Sequence, residues 1–273
     1  VDILKRSDTH YIGTLEVKKH YAFLVMDSKI LANDIFIPFD FLGGGKDGDK
    51  VVVEIVEWPE RANNPIGKVI DILGKPGENT AEMHAILAQY NLPYKYPRDV
   101  EKYAESLSDK IPEEEYAKRE DFRDVVTITI DPADAKDFDD ALSLRKLSDN
   151  LWEVGVHIAD VTYYVTPGDP IDREAEKRAT SIYLVDRTVP MLPERLSNYL
   201  CSLRPHEEKL CHSVIFEMND KAEVLKYRIA HTIVKSDSRL TYEDAQAIIE
   251  TGKGDFSSEI LVLNNLAKQL RER

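Results

Sequence analysis

The sequence predicts an α+β chain: an N-terminal five-stranded β-barrel, a helical connector, and a C-terminal part of mixed strands and helices. Three observations carry this expectation. Five short strand-like runs at 11–17, 21–26, 34–38, 50–57 and 67–73 are separated by Lys18-Lys19-His20, Gly43-Gly44-Gly45 and Asn63-Asn64-Pro65. Between 76 and 124, apolar residues recur at helical spacing among many charges. From Val125 onward, β-branched runs alternate with capped helical segments. The expected parts are 1–75, 76–124 and 125–273.

Five short strands with glycine-rich turns are the pattern of an OB-fold barrel. Tyr21 and Phe23 lie two apart and so share one face of a strand, with Phe36 expected beside them on the next. Aromatics on such a surface stack on unpaired bases, worth about 1–3 kcal/mol per base. The alternative is that they point into the barrel. In the connector, Thr80 is the expected N-cap of a helix carrying Met83, Ile86, Leu87 and Tyr90, which ends at 92–97. Helices at 99–107 and 112–123 follow, the latter with Glu113, Glu114 and Glu115 in its first turn, where acidic groups suit the helix dipole. This stretch is read as a solvated spacer packed on the next domain.

The segment 125–144, VVTITIDPADAKDFDDALSL, holds the chemistry. Val125 to Ile130 alternates like a half-buried strand, and Pro132 stops it because proline has no N–H for a ladder. Asp131, Asp137, Asp139 and Asp140 then bracket a loop before a second strand from Ala141. Two like charges about 4 Å apart repel by roughly 1 kcal/mol in water and about 4 kcal/mol at an effective dielectric near 20. Four such groups need cations, protonation or splaying into solvent. Oxygen-only ligands suit Mg²⁺, Mn²⁺ or Ca²⁺ rather than zinc; a solvated acidic loop is the alternative. The central glycine and late glutamate of an EF-hand are missing.

Beyond it, 152–165 reads as a strand pair in which His157 and Asp160 are hydrogen-bonded core residues. Asp169-Pro170 opens a helix expected to reach Tyr183, a second helix is expected at 193–203, and 212–218 pairs with 224–235. Thr241 caps a further helix, and a last one occupies 257–273.

Composition sets the frame. Hydrophobic residues make up 42%, and no apolar run is long enough to span a bilayer. The net charge of −14 opposes nucleic-acid binding, yet it is spread over all three parts: 10 basic and 12 acidic groups in 1–75, 7 and 12 in 76–125, 19 and 26 in 126–273. Affinity for RNA depends on local basic surface and bound cations more than on total charge. Cys201 and Cys211 match no common zinc spacing and suit a reducing, cytoplasmic setting. Val1 is not a start methionine and no signal peptide follows it, so the chain is read as a piece of a longer protein.

TITIDPADAKDFDDALSL resembles the active-site signature of the ribonuclease II/ribonuclease R family, the RNB catalytic domain, with its D-x5-D-x-DD pattern at Asp131, Asp137, Asp139 and Asp140. VGVHIADVTYYV at 154–165 and VPMLPERLSNYLCSLRP at 189–205 extend the resemblance over about 120–273. The barrel is similar to a cold-shock domain, with HYAFLV from His20 and DIFIP from Asp34 at its two RNA-binding motifs, although His20 and Ala22 replace glycines of the first. The resemblance implies a processive 3′-to-5′ exoribonuclease that releases nucleoside 5′-monophosphates from single-stranded RNA with Mg²⁺, or with Mn²⁺. It implies Asp131, Asp137 and Asp140 as metal ligands. Asp139 either completes a second metal position or orients the attacking water. Tyr183 falls at the family's base-stacking aromatic, or else packs at a helix end. The full protein is expected to be a monomer off the membrane, and this piece alone to be inactive with an exposed apolar face. Two rivals remain: a non-catalytic RNA-binding protein, and a two-metal phosphodiesterase for another substrate.

Overall fold

A computed structural model describes residues 10–27, 31, 33–60 and 62–273. Packing divides the chain into two units between Tyr96 and Pro97.

In the first unit, β1 (Tyr11–Val17), β2 (Ala22–Met26), β3 (Ile35–Ile37), β4 (Lys50–Glu57) and β5 (Ile66–Gly74) close into a barrel in the order β1-β2-β3-β5-β4. Alternation fills it: Leu15, Leu24, Ile35, Ile37, Val51 and Val53 all point inward. The turn before β4 uses Gly43 and Gly44 at φ 58° and 90°, a region that side chains disfavour.

Helix α1 (Asn79–Gln89) lies against the outside of this barrel, so the expected connector 76–124 divides between the two units. Of the expected Met83, Ile86, Leu87, Tyr90 stripe, only Leu87 is fully buried. Ala81, Ala85 and Ala88 meet Ile12, Val52 and Leu73, while Ile86 and Tyr90 stay exposed. Small side chains let the helix approach closely, and a buried Lys50 pairs with Asp27 at 2.8 Å and with Glu82 on α1. The N-cap is Glu78 rather than Thr80.

The second unit begins with α2 (Arg98–Ser106) and α3 (Glu113–Lys118) and continues into a sheet. Its strands are β6 (Glu120–Phe122), β7 (Thr127–Asp131), β8 (Asp140–Ser148), β9 (Leu151–Ala159) and, after an excursion, β12 to β14. The excursion holds α4 (Val161–Tyr164), α5 (Pro170–Arg178), the two-stranded β10 (Ile182–Tyr183) and β11 (Thr188–Val189), and a π-helical turn, Leu196–Leu200. Then come β12 (Glu208–Asn219), β13 (Val224–Lys235), β14 (Ser238–Thr241), α6 (Tyr242–Thr251) and α7 (Ser257–Arg271). The sheet order is β14-β7-β8-β9-β12-β13-β6, antiparallel within and parallel at both edges.

Leu266 of α7 packs with Leu144, Val154 and Met218, and Ile248 of α6 with Ile128 and Leu240. α6 starts at a capping box in which Thr241 and Asp244 bond each other's backbone N–H. Farther along the sheet, β13 leaves Leu225, Tyr227 and Ile229 exposed. Among the described residues, no helix is long and apolar enough to cross a membrane.

Several expected elements differ. Residues 152–165 form one strand and the short α4, because Asp160 leaves the ladder to bond Arg119 at 2.8 Å and Thr162 at 2.7 Å. Helix α5 stops at Arg178, where Ala179 turns left-handed at φ 62°, well before Tyr183. The expected helix at 193–203 is reduced to the π-helical turn.

His157 is a core residue, fully buried in mid-sheet. Its Nδ1 lies 2.7 Å from Ser213 Oγ and its Nε2 2.8 Å from Ser143 Oγ, and Ser213 in turn bonds Thr232 at 2.6 Å. Gly155 makes room for it, since a Cβ there would sit 2.5 Å from Nε2. Burial drives the imidazole down to about 4. The unfolded chain takes up this proton near pH 6.5 while the folded chain refuses it until about 4, so folding stability falls as pH drops through that window. His157→Gln is expected to flatten that part of the stability–pH curve in denaturant titrations; parallel curves for the two proteins would refute the account.

Candidate active site

β7 and β8 pair only at Thr127 with Ser143 and Ile128 with Leu142, then separate around the loop that joins them. Asp131 ends the first strand, Asp140 opens the second, and Asp137 and Asp139 lie between. Backbone bonds from outside fix this loop. Buried Ser202 accepts from the N–H of Phe138 at 3.1 Å and donates to the carbonyl of Lys136 at 2.9 Å. Leu203 N–H donates to Phe138 O at 2.8 Å, and Ala159 N–H to Asp139 O at 3.0 Å. From β14, Arg239 donates to Pro132 O and lies 5.5 Å over the Phe138 ring.

Sequence reasoning missed Ser202, Leu203 and Arg239 as supports of the loop. The first two lie inside the 189–205 segment that carries the resemblance, but nothing in the spacing says which loop they hold. Arg239 carries no local signal at all.

The electrostatics follow the crowding. Asp139 is accessible to solvent yet ringed closely by protein, and desolvation raises it to about 6, helped by the charges of Asp137, Asp140 and Asp131. Asp131 is buried and also raised, first by desolvation. Asp140 and Asp137 push it further, against the Thr129 hydroxyl and Arg239. Asp131 Oδ2 and Arg239 Nε are buried without a hydrogen-bond partner.

Among the described residues, no three His, Cys, Asp or Glu side chains are already gathered as a metal cluster. The donor set nevertheless fits a hard divalent cation: oxygen ligands only, mutual repulsion awaiting a counter-charge, and a buried carboxylate oxygen with nothing bonded to it.

Tyr183 lies in the β10–β11 hairpin, paired with Thr188 and 73% exposed. Its phenol is pushed up by partial desolvation and then by the charges of Asp137 and Asp139, so the ring stands within electrostatic reach of the acidic loop. It does not end a helix.

In the other unit, Tyr21, Phe23 and Phe36 cluster on the outside of the barrel. Their ring centroids are 5.6, 5.7 and 6.1 Å apart, while Ala22, Leu24, Ile35 and Ile37 take the inward positions. Tyr21 precedes β2 and is exposed; the other two are half-buried.

A carboxylate that holds its proton to about 6 when folded and to about 4 when unfolded disfavours folding above that range and not below it. Without divalent cations, Asp139→Asn is therefore expected to raise the melting temperature at pH 8 and leave it unchanged at pH 3.5. An equal shift at both pH values would mean that the carboxyl is unperturbed.

The RNB domain family matches residues 119–273, and the cold shock domain family matches 23–97. The chain is 36% identical over 252 residues to ribonuclease R of Thermotoga maritima, covering 92% of this chain and 36% of that protein. It thus spans about a third of the length of that curated relative. Mycoplasma genitalium RNase R in complex with double-stranded RNA superposes with a TM-score of 0.86 at 25% identity, over 100% of this chain and 49% of that one. The same RNase R in complex with ribose-methylated single-stranded RNA gives 0.85, covering 44% of that chain. Yeast Ssd1, described as a pseudonuclease, shares the fold at a TM-score of 0.68 and 20% identity, over 98% of this chain and 34% of that one.

Proposed function

The chain belongs to the RNB domain family, and from that membership we propose that its protein is a metal-dependent 3′-to-5′ exoribonuclease that hydrolyses single-stranded RNA to nucleoside 5′-monophosphates. The observation that carries this reading is the set of four aspartates fixed at one strand–loop–strand, with Tyr183 within electrostatic reach of Asp137 and Asp139.

Asp131, Asp137 and Asp140 would hold the cation, Mg²⁺ or Mn²⁺. When bound, it supplies positive charge opposite the scissile phosphate and lowers the pKa of a coordinated water. Asp139 completes a second metal position or orients the attacking water. As a carboxylate it can accept a hydrogen bond from that water. Tyr183 offers a face on which a terminal base can stack, and in the other unit Tyr21, Phe23 and Phe36 offer a stacking platform of their own for single-stranded RNA. A cytoplasmic location and a monomeric state belong to the same proposal.

The fold it shares with a pseudonuclease gives weight to a second reading, a non-catalytic RNA-binding protein. Fold alone does not separate the two; the complete carboxylate set favours hydrolysis.

The protein in its full natural length, given Mg²⁺ and 5′-blocked, 3′-blocked or circular RNA, is expected to release mononucleotides from the 5′-blocked substrate only. Degraded circles would indicate another phosphodiesterase, and retained RNA with no metal-dependent loss the non-catalytic reading. Asp139→Asn should abolish hydrolysis while RNA affinity holds or rises, because a charge near the phosphate is gone. Activity within about tenfold of wild type would remove Asp139 from the mechanism. Tyr183→Ala should alter the length at which digestion stops. Tyr21→Ala with Phe23→Ala should weaken single-stranded RNA binding by about 2–6 kcal/mol without unfolding the barrel.

A further inference from the structure

Arg239 lies on β14, the edge strand whose parallel register sets Arg239 beside Thr129 and Thr241 beside Asp131. Its guanidinium reaches across the acidic loop. Nη2 donates to the carbonyl of Pro132, the residue after Asp131, and the cation lies 5.5 Å from the ring of Phe138, the residue before Asp139. One side chain therefore touches the loop just inside both of its ends. Ser202 and Leu203 hold only the Lys136–Phe138 stretch, so the Pro132 end has no other side-chain tether among the described residues.

Arg239 Nε and Asp131 Oδ2 are both buried without partners.

We propose that Arg239 is a positioning residue that sets the spacing of the four aspartates by clamping Pro132 and Phe138 together. The inference rests on the reading of the loop as the metal-holding element of a nuclease. Arginine suits the task and lysine does not. A planar fork donates in its own plane while its face lies on an aromatic ring; an ammonium keeps the charge but cannot do both at once.

The test uses the protein in its full natural length, with Arg239→Lys and, separately, Phe138→Leu, both checked for folding by circular dichroism. Four quantities are read: hydrogen exchange of the 132–139 amides without metal or RNA, Mn²⁺ affinity by electron paramagnetic resonance without RNA, and kcat and KM on single-stranded RNA. Arg239→Lys is expected to speed loop exchange severalfold and to weaken Mn²⁺ binding. It should lower kcat by about 10²-fold, the cost of misplacing reacting groups by about 1 Å, with KM little changed. Phe138→Leu should give a smaller effect in the same direction, and the double variant should be no worse than Arg239→Lys alone, as for two partners in one contact. Wild-type loop exchange and Mn²⁺ affinity in Arg239→Lys would overturn the proposal, because the charge alone would then suffice. A wild-type protein that neither binds Mn²⁺ nor degrades RNA would sink the nuclease reading instead, leaving the exchange comparison to decide the role of Arg239.

Discussion

Like-charge repulsion within one loop is the constraint on which the rest of this unit depends. Asp131, Asp137, Asp139 and Asp140 fall within ten consecutive residues, and a loop free to relax would splay them into water. The fold prevents that relaxation. β7 and β8 fix the ends, buried Ser202 and Leu203 hold the middle by its backbone, and Ala159 ties down the carbonyl of Asp139. The repulsion then appears where it cannot be relieved, as a carboxyl held protonated to about 6 and as an unpartnered oxygen on Asp131. In the proposed reading, a bound cation would offset this repulsion and so stabilise the folded state.

The sheet around the loop is built to be rigid. The Ser143, His157, Ser213 and Thr232 relay joins four strands in the interior, and every polar group in it has a partner. Asp160, at the end of β9, is tied to Arg119 and Thr162, so β9 cannot slide relative to the loop whose Asp139 carbonyl it binds. The barrel works by another principle. Strand alternation puts Ala22, Leu24, Ile35 and Ile37 inside and so turns Phe23 and Phe36 outward beside Tyr21, where ring faces are available for stacking.

Much of this was legible from residue order. Alternation gave the barrel strands to within a residue or two, and Pro132 marked the end of β7 because a missing N–H is a local fact. The four aspartates stood out because their charges lie close in sequence. The buried face of α1 did not, because alanine carries little periodic signal beside Ile86 and Tyr90, which turn out to be exposed. The end of α5 was hidden for a similar reason: Ala179 gives no hint of a left-handed turn. Ser202 and Arg239 reach the loop from about 65 and 100 residues away, through pairings that only the folded sheet defines.

The central claim is that the acidic loop is a cation site held open by the fold, and the dependence of stability on Mg²⁺ tests it most directly. A ligand that binds only the folded state stabilises it in proportion to the logarithm of its concentration. Melting temperatures of the chain should rise with added Mg²⁺ compared with NaCl of equal ionic strength. The rise should vanish in a chain carrying Asp137→Asn and Asp140→Asn. A rise of the same size in both proteins, or none in the wild type, would contradict the account.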